Sequence, residues 1–160
     1  MKERIVKVAD YAVESGEAVI MTLGLGSCVA CVLYDPIARA GGLAHILLPS
    51  HTLARDRDNR AKFPETAVPL LVEELAKLGA VRERLRARLV GGAAMFANLS
   101  APGVAMMGER NVLATKEALK VARIPMIAED TGAGYGRSVY LYLPSGRLEV
   151  RSVTHGVREL

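Results

Sequence analysis

Three apolar, strand-like segments follow one another closely between residues 18 and 48, and this arrangement constrains the fold more than any other feature. Residues 18–23, 29–34 and 44–48 are rich in Val, Ile, Leu and Ala, and each is followed within two residues by Gly or Pro. Apolar runs of this length bounded by such residues are typical of buried strands. Strands that are adjacent in sequence favour antiparallel or mixed sheets rather than a doubly wound fold.

Two helices are predicted further along the chain. Residues 65–78 place Val68, Leu71 and Leu75 at helical spacing, and Gly79 provides a left-handed stop. Pro69 is compatible with this helix only if the helix begins near Pro64 or Glu65, where a missing N–H costs little. A second helix is predicted over 111–122, with Asn111 as its N-cap.

The remaining segments complete an α+β prediction. The alternation in LRARLV indicates a strand with one solvated basic face, residues 124–128 indicate another strand, and 138–143 with 148–153 form a predicted hairpin. Residues 50–62 are expected to be a mobile loop and 131–136 a flexible turn. We predict six to eight strands in a layered sandwich of antiparallel or mixed β-sheets, with two main helices packed on a sheet face. Residues 1–160 are expected to form a single domain.

Composition excludes some functions. The chain of 160 residues carries a formal net charge of +4, and its basic run, Arg82 to Arg88, contains no aromatic side chain for stacking on bases. We therefore predict no nucleic-acid partner. No apolar stretch reaches the roughly 18 residues that span a bilayer, and the N-terminus lacks a signal-peptide core. We expect a cytoplasmic protein without membrane insertion.

The segment TLGLGSCVAC, residues 22–31, carries the most chemistry. It is not a dinucleotide-binding loop, because the third Gly of that motif is missing and a β-branched strand follows instead of a helix. A redox or metal role for Cys28 and Cys31 is disfavoured, since residues three apart in a strand point to opposite faces and no second cysteine pair exists.

The two cysteines differ in position. Cys31 lies inside an apolar strand and is predicted to be a small buried core residue. Cys28 lies where a Gly-rich turn meets the strand, and such a turn allows a substrate and backbone N–H groups to approach the sulfur. Position alone leaves two interpretations of Cys28 open, a buried hydrophobe and a nucleophile.

The register of a predicted hairpin places His45 close to Cys28. If residues 35–38 form the turn of an antiparallel hairpin, Cys28 and His45 lie directly opposite each other, with Cβ atoms about 4.5–5.5 Å apart. That distance suits a thiolate–imidazolium pair, in which the imidazolium lowers the cysteine pKa. Without this pairing His45 would be a core histidine, and a bulge near Gly41 and Gly42 would break the register.

Other candidates are weaker. Ser27 does not stand in the G-x-S-x-G elbow and is expected to donate a hydrogen bond within the turn. His51 and His155 are expected to be solvated. Glu129 and Asp130 have no companion carboxylates at metal-ligand spacing, so no metal site is predicted there.

These residues together resemble a known family, the CheD chemoreceptor glutamine deamidases. TLGLGSCVA, followed by DP and GGLAHILLP, is similar to the family signature. The resemblance continues through most of the chain, in ETAVPLLVEELAKLGA, LVGGAAMF, GERNV, AEDTG and the RSV and LEVR strands. Two positions depart from the family pattern: Ala133 stands where a Gly is often found, and Cys31 stands where an aliphatic residue is common.

The resemblance implies a function and a site. Members hydrolyse receptor glutamine side chains to glutamates and release ammonia, without a metal or organic cofactor. The implied nucleophile is Cys28, the implied proton-transfer partner is His45, and the implied third member is Thr22. The family fold is a layered α/β sandwich similar to the catalytic domain of cytotoxic necrotising factor.

The resemblance also implies partners. These are methyl-accepting chemoreceptors and a CheC-like phosphatase, and the free chain is expected to be a monomer. The alternative function is a non-catalytic regulatory module that binds chemoreceptors or a CheC-like protein.

Overall fold

Two five-stranded sheets form the centre of the protein in a computed structural model, which describes residues 1–95 and 106–160. The first sheet has the order β1-β3-β8-β9-β10, and the second has the order β2-β5-β4-β6-β7. The strands are β1 (Lys2–Ile5), β2 (Tyr11–Ser15), β3 (Ala18–Leu25), β4 (Val29–Asp35), β5 (Ala40–Ile46), β6 (Arg86–Gly91), β7 (Met126–Thr131), β8 (Arg137–Tyr142), β9 (Arg147–Ser152) and β10 (Gly156–Glu159). Most neighbours are antiparallel, while the β1–β3 and β6–β7 pairs are parallel, so both sheets are mixed.

Two helices cover one face of the second sheet. They are α1 (Pro64–Ala76) and α2 (Met107–Val121). Short 3₁₀ helices occupy His51–Leu53, Arg60–Lys62 and Arg82–Arg84. No helix among residues 1–95 and 106–160 is long and apolar enough to cross a membrane.

The core has two layers, one on each side of the second sheet. Alternate residues of β4 divide between them: Val29, Cys31 and Leu33 pack with the helices, whereas Ala30 and Val32 pack against the first sheet. This division follows from the two-residue period of a strand. The α+β sandwich with helices on one sheet face, predicted from the sequence, is confirmed.

Several element predictions need correction. Ten strands are present in the described part of the chain, not six to eight, because β1, β2 and β10 are short, and β1 and β10 are largely exposed. Helix α2 begins at Met107, four residues before the predicted N-cap Asn111. Pro69 is the sixth residue of α1 rather than part of its first turn, and its ring is exposed, so the Glu65 carbonyl that loses its donor can be hydrated.

The prediction that β6 has one solvated basic face is also wrong. Arg88 is 7% exposed and lies on the side of the first sheet, where its Nη2 donates to the Gly146 carbonyl at 2.8 Å. Arg84, at the end of the preceding 3₁₀ helix, makes an ion pair with the fully buried Asp35 at 3.0 Å. Two arginines of the basic run, Arg84 and Arg88, therefore bind groups in the protein interior.

The β4–β5 connection sets the register of the site, and Asp35 organises it. Its carboxylate accepts hydrogen bonds from the backbone N–H groups of Ile37 at 2.9 Å, Ala38 at 3.2 Å and Val81 at 2.8 Å. Arg39 takes a left-handed φ of +50°, and Asp35 pairs with Ala40. The hairpin loop is thus four residues long rather than two.

We predict that Asp35→Ala lowers the free energy of unfolding at pH 7 by about 3 kcal/mol, because it leaves three partly buried N–H donors and the Arg84 charge without their acceptor. Burial alone would raise the pKa of Asp35, but the hydrogen bonds from Arg84 and the three N–H groups hold it at about 2, below the ordinary 3.8. The depressed pKa contributes stability above pH 3.8 that is lost as the pH falls towards 2.

Chemical denaturation of wild type between pH 7 and 2 should therefore show a loss of about 2 kcal/mol that is missing from Asp35→Ala. Glu73→Ala, which removes the exposed ion pair with Arg60, is the matched control and should change little. Equal stability of Asp35→Ala and wild type at pH 7 would contradict a structural role for this carboxylate.

Candidate active site

His45 and Thr22 meet across the interface between the two sheets. His45 lies near the end of β5 and is 1% exposed, and Thr22 lies in β3 and is fully buried. Their Nδ1 and Oγ1 atoms are 2.7 Å apart. The sandwich therefore brings together two of the three predicted site residues, one from each sheet.

The position of Cys28 relative to His45 differs from the predicted one. Residue pairs in the β4–β5 ladder place Ala30, not Cys28, opposite His45. The cause is the four-residue loop at Asp35, which moves the register by two residues, while the ladder remains regular through Gly41 and Gly42. The direct pairing predicted from a two-residue turn is wrong.

A shift of two residues keeps each side chain on its face of the sheet. Cys28 lies one residue before β4, two residues from Ala30, and its side chain packs in the core layer between the sheets. It is thus a diagonal neighbour of His45 on the same face, a relation in which Cα atoms of a regular ladder are about 7–8 Å apart. Both side chains therefore lie on the face of the second sheet that packs on the first, although His45 Nε2 makes no hydrogen bond to the Cys28 sulfur in the described structure.

A chain of hydrogen bonds sets the tautomer of His45. The Thr22 hydroxyl donates its single proton to the Val6 carbonyl at 2.8 Å, because a carbonyl can only accept. The Thr22 oxygen must then accept from His45, so Nδ1 carries the proton. The Nε2 atom is left as the acceptor, and it is buried without a hydrogen-bond partner in the described structure.

Burial disfavours the charged forms of both the His45 and the Cys28 side chains. It lowers the pKa of the His45 imidazole, which disfavours the imidazolium form. Burial also raises the pKa of the Cys28 thiol, and the opposing effect of the Cys28 backbone N–H is smaller. Burial thus opposes formation of the thiolate–imidazolium pair expected from the sequence.

The backbone around Cys28 is clamped by the end of β6. Gly92 N–H donates to the Cys28 carbonyl at 2.8 Å, and Ala93 N–H donates to the Gly26 carbonyl at 2.9 Å. Gly91 has a φ of +111°, and a Cβ on it would lie 2.3 Å from the Cys28 carbonyl oxygen, so only Gly fits there. The LVGGAAMF segment thus supports the Cys28 loop, while its last residue, Phe96, lies outside the described residues.

Asn111 lies beside the loop that carries Cys28, and its predicted role as an N-cap is wrong. It is not an N-cap but lies inside α2, fully buried, and its Nδ2 donates to the Ser27 carbonyl at 2.9 Å and the Leu47 carbonyl at 3.2 Å. Ser27, expected to donate from its side chain, accepts here through its carbonyl. The GERNV segment, which contains Asn111, was the only sequence signal pointing to this position.

Cys31 and Ala133 are the two residues that depart from the family pattern, and each has a defined environment in the structure. Cys31 is fully buried on the helix side of the sheet, opposite to Cys28, which confirms the predicted core position and excludes a dithiol with Cys28. Burial raises its pKa to about 12. Ala133 adopts a φ of +58°, in the left-handed region that favours glycine, and its carbonyl accepts from Ala94 N–H at 2.9 Å.

The remaining candidates have structural partners. His51 pairs with Glu65 at 2.5 Å, and His155 stacks on Tyr135 with ring centroids 3.7 Å apart. Asp130 is buried and pairs with Arg137 at 3.0 Å. Glu129, for its part, pairs with Lys116 at 2.8 Å. Residues 1–95 and 106–160 contain no group of His, Cys, Asp and Glu that could hold a metal ion.

Comparison with known proteins gives consistent matches. A family model described as CheD chemotactic sensory transduction matches residues 47–152. A protein of Caldanaerobacter subterraneus subsp. tengcongensis, named probable chemoreceptor glutamine deamidase CheD, is 46% identical over 160 residues, 99% of each chain. A protein of the same name from Pyrococcus horikoshii is 46% identical over 98% of this chain and 96% of its own.

A third relative, from Geobacter metallireducens, is named probable chemoreceptor glutamine deamidase CheD 2. It is 45% identical over 97% of this chain and 96% of its own. Thr22, Cys28 and His45 precede the stretch matched by the family model, whereas these relatives align over almost the whole chain.

We predict that iodoacetamide modifies one thiol, Cys28, in the native protein, while Cys31 reacts only after unfolding. The Cys28 rate should rise with pH around a midpoint above that of a free cysteine in the same buffers, because burial raises its pKa. Peptide mass spectrometry after timed alkylation measures both rates. Cys31→Ala should leave the Cys28 rate unchanged, and a midpoint below that of free cysteine would restore the thiolate–imidazolium interpretation.

Proposed function

Because the chain belongs to the CheD family, we propose that it hydrolyses glutamine side chains of chemoreceptors to glutamate, with Cys28 as the nucleophile. The observation that supports this assignment of roles is the buried His45 imidazole: its Nδ1 contacts Thr22, its Nε2 has no hydrogen-bond partner in the described structure, and Cys28 packs in the layer between the sheets. A lone pair in that position suits a general base for a neutral thiol.

The first half of the reaction forms a thioester. His45 Nε2 takes the Cys28 proton as the sulfur attacks the amide carbon of the substrate glutamine. The resulting imidazolium returns the proton to the amide nitrogen, the C–N bond breaks and ammonia leaves. Protonation of the nitrogen is essential, because an amide anion is a very poor leaving group.

The second half regenerates the thiol. His45 Nε2 accepts a proton from a water molecule, whose oxygen attacks the thioester carbon. The C–S bond breaks, the sulfur regains the proton from His45, and glutamate is released. The sum is amide plus water giving carboxylic acid plus ammonia, and no step requires a metal or an organic cofactor.

Thr22 acts in this mechanism through His45. Its hydroxyl oxygen accepts the Nδ1 proton, which keeps the tautomer that can take a proton from Cys28. The opposite tautomer would present an N–H to the thiol and could not act as a base. Thr22 is therefore proposed as a positioning residue.

We also propose a CheC-type phosphatase as a regulatory partner and a monomer as the free form. The family resemblance supports the partner. Analytical ultracentrifugation of the chain alone and mixed with a CheC-type phosphatase would measure both.

We predict that Cys28→Ser lowers receptor deamidation by at least about 10³-fold, since a serine hydroxyl is far less readily deprotonated by His45. Each deamidation raises the receptor mass by about one unit, because NH2 is replaced by OH, so intact-mass spectrometry of a receptor fragment gives the rate. Cys31→Ala is the matched control and should retain near wild-type activity.

Receptor binding, measured in parallel, separates the two candidate functions. Cys28→Ser should bind the fragment as wild type does. A mass shift that persists undiminished in Cys28→Ser would refute the proposed nucleophile. Wild type that binds the fragment without ever changing its mass would establish the alternative function, a non-catalytic regulatory module.

Thr22→Val should lower kcat by about 10- to 100-fold, within the 10²- to 10⁴-fold that a positioned general base contributes. Thr22→Ser keeps the hydroxyl and should therefore retain most of the wild-type kcat. Steady-state deamidation kinetics of both variants, with thermal unfolding to compare their stability, provide the measurement. Equal activity of the Val and Ser variants would show that the hydroxyl does not position His45.

A further inference from the structure

The side chain of Asn111 links the two segments that carry the reactive groups. Asn111 is the fifth residue of α2, and its amide leaves the helix to contact two carbonyls outside it. One belongs to Ser27, directly before Cys28, and the other belongs to Leu47, two residues after His45. The Asn111 amide thus connects the loop that carries Cys28 to the segment that follows strand β5, which carries His45.

The chemistry of these contacts fixes the orientation of the amide. Both partners are carbonyl oxygens, which only accept, so the NH2 group of Asn111 must face them. Its Oδ1 is consequently buried without a hydrogen-bond partner in the described structure. An unpaired buried acceptor costs about 1–3 kcal/mol, and an aliphatic side chain would avoid this cost. An aliphatic side chain would, however, leave the Ser27 and Leu47 carbonyls without this donor, so the function of the amide lies in the two hydrogen bonds that it gives.

The bond to Ser27 determines where the next N–H points. The Ser27 carbonyl and the Cys28 N–H belong to one planar trans peptide group and point in opposite directions. With the carbonyl directed at Asn111, the Cys28 N–H is directed away from the helix. The Cys28 side chain also lies away from the helix, in the core layer between the two sheets.

The peptide group on the other side of Cys28 is held as well. Gly92 N–H donates to the Cys28 carbonyl at 2.8 Å. Both peptide groups that flank the nucleophile are therefore fixed by partners outside its own loop. Hydrogen-bond donors that are held in place before the reaction stabilise an oxyanion well, because they need not reorganise when the charge forms.

We propose that Asn111 is a positioning residue for amide hydrolysis: its amide holds the Ser27 carbonyl so that the Cys28 backbone N–H donates to the oxyanion of the tetrahedral intermediate. The oxyanion is the former amide oxygen of the substrate glutamine, which gains the electron pair of the C=O double bond as the Cys28 sulfur bonds to the carbon. The inference deepens the proposed function and rests on Cys28 being its nucleophile.

Asn111→Leu tests the proposal, because Leu is similar in size and donates no hydrogen bond. With a chemoreceptor cytoplasmic fragment as substrate, kcat should fall by about 10²-fold, as for the loss of one oxyanion donor, with KM within about twofold. Iodoacetamide alkylation of Cys28 should stay within about twofold of wild type, because displacement of iodide creates no oxyanion. A purely structural role would change both reactions together.

Thr115→Val is the matched control. Thr115 lies one turn further along α2, is fully buried, and donates to the Asn111 backbone carbonyl at 2.7 Å. Its replacement removes a buried hydrogen bond from the same helix without touching the amide contacts to Ser27 and Leu47. Deamidation by Thr115→Val should remain within about twofold of wild type.

Asn111→Asp provides a second variant should the Leu variant fail to fold. It keeps the shape, and the ionised carboxylate donates nothing, whereas the protonated acid regains one O–H donor for Ser27. Its kcat relative to wild type should therefore rise as the pH falls from 8 to 5. A ratio that does not change with pH would overturn the proposal.

The outcomes separate this inference from the proposed function. Wild type that does not deamidate the fragment would overturn the proposed function and this inference with it. A deamidating wild type together with an Asn111→Leu variant of unchanged kcat overturns only the role of Asn111. Parallel losses of deamidation and alkylation in Asn111→Leu would also overturn it, since Asn111 would then hold the site together without acting on the oxyanion.

Discussion

The hydrogen bond between Thr22 and His45 makes the interface of the two sheets into a site. That interface is packed mainly with buried aliphatic side chains, such as Ile20, Leu43 and Val139. A polar group buried there must find a partner within the protein. His45 therefore depends on Thr22, and Thr22 depends on the Val6 carbonyl, so the geometry of the imidazole follows from how the first sheet packs on the second.

The strands of this interface could be predicted from the sequence, but their register could not. Apolar runs and Gly or Pro signals locate β3 and β4 within two residues of their observed ends. The length of the next loop depends on hydrogen bonds that the Asp35 carboxylate accepts from two distant donors, the Val81 N–H and the Arg84 side chain, and no local pattern contains that information. The resulting error of two residues left Cys28 and His45 on the same face, because the side-chain period of a strand is also two.

Asn111 shows a different limit of sequence reasoning. Its residue type is favoured at helix N-termini, so a local interpretation predicts a cap. The structure uses the same amide inside α2, where it contacts carbonyls of residues 84 and 64 positions away in the chain. Propensity scales describe how a side chain interacts with the backbone of its own helix. They contain no information about a hydrogen-bond donor that another segment of the chain requires. Buried polar residues of this kind are found only from the packed structure.

The neutral character of Thr22 suits the difficult step of amide hydrolysis. A carboxylate at its position would also hold the Nδ1–H tautomer, but its charge would raise the pKa of His45 and make the imidazolium a weaker acid. In the proposed mechanism the imidazolium must give its proton to a nitrogen that otherwise does not leave. Burial lowers the His45 pKa, and a hydroxyl partner fixes the tautomer without reversing that effect. The same burial that disfavours the Cys28 thiolate thus favours departure of ammonia once the sulfur has attacked.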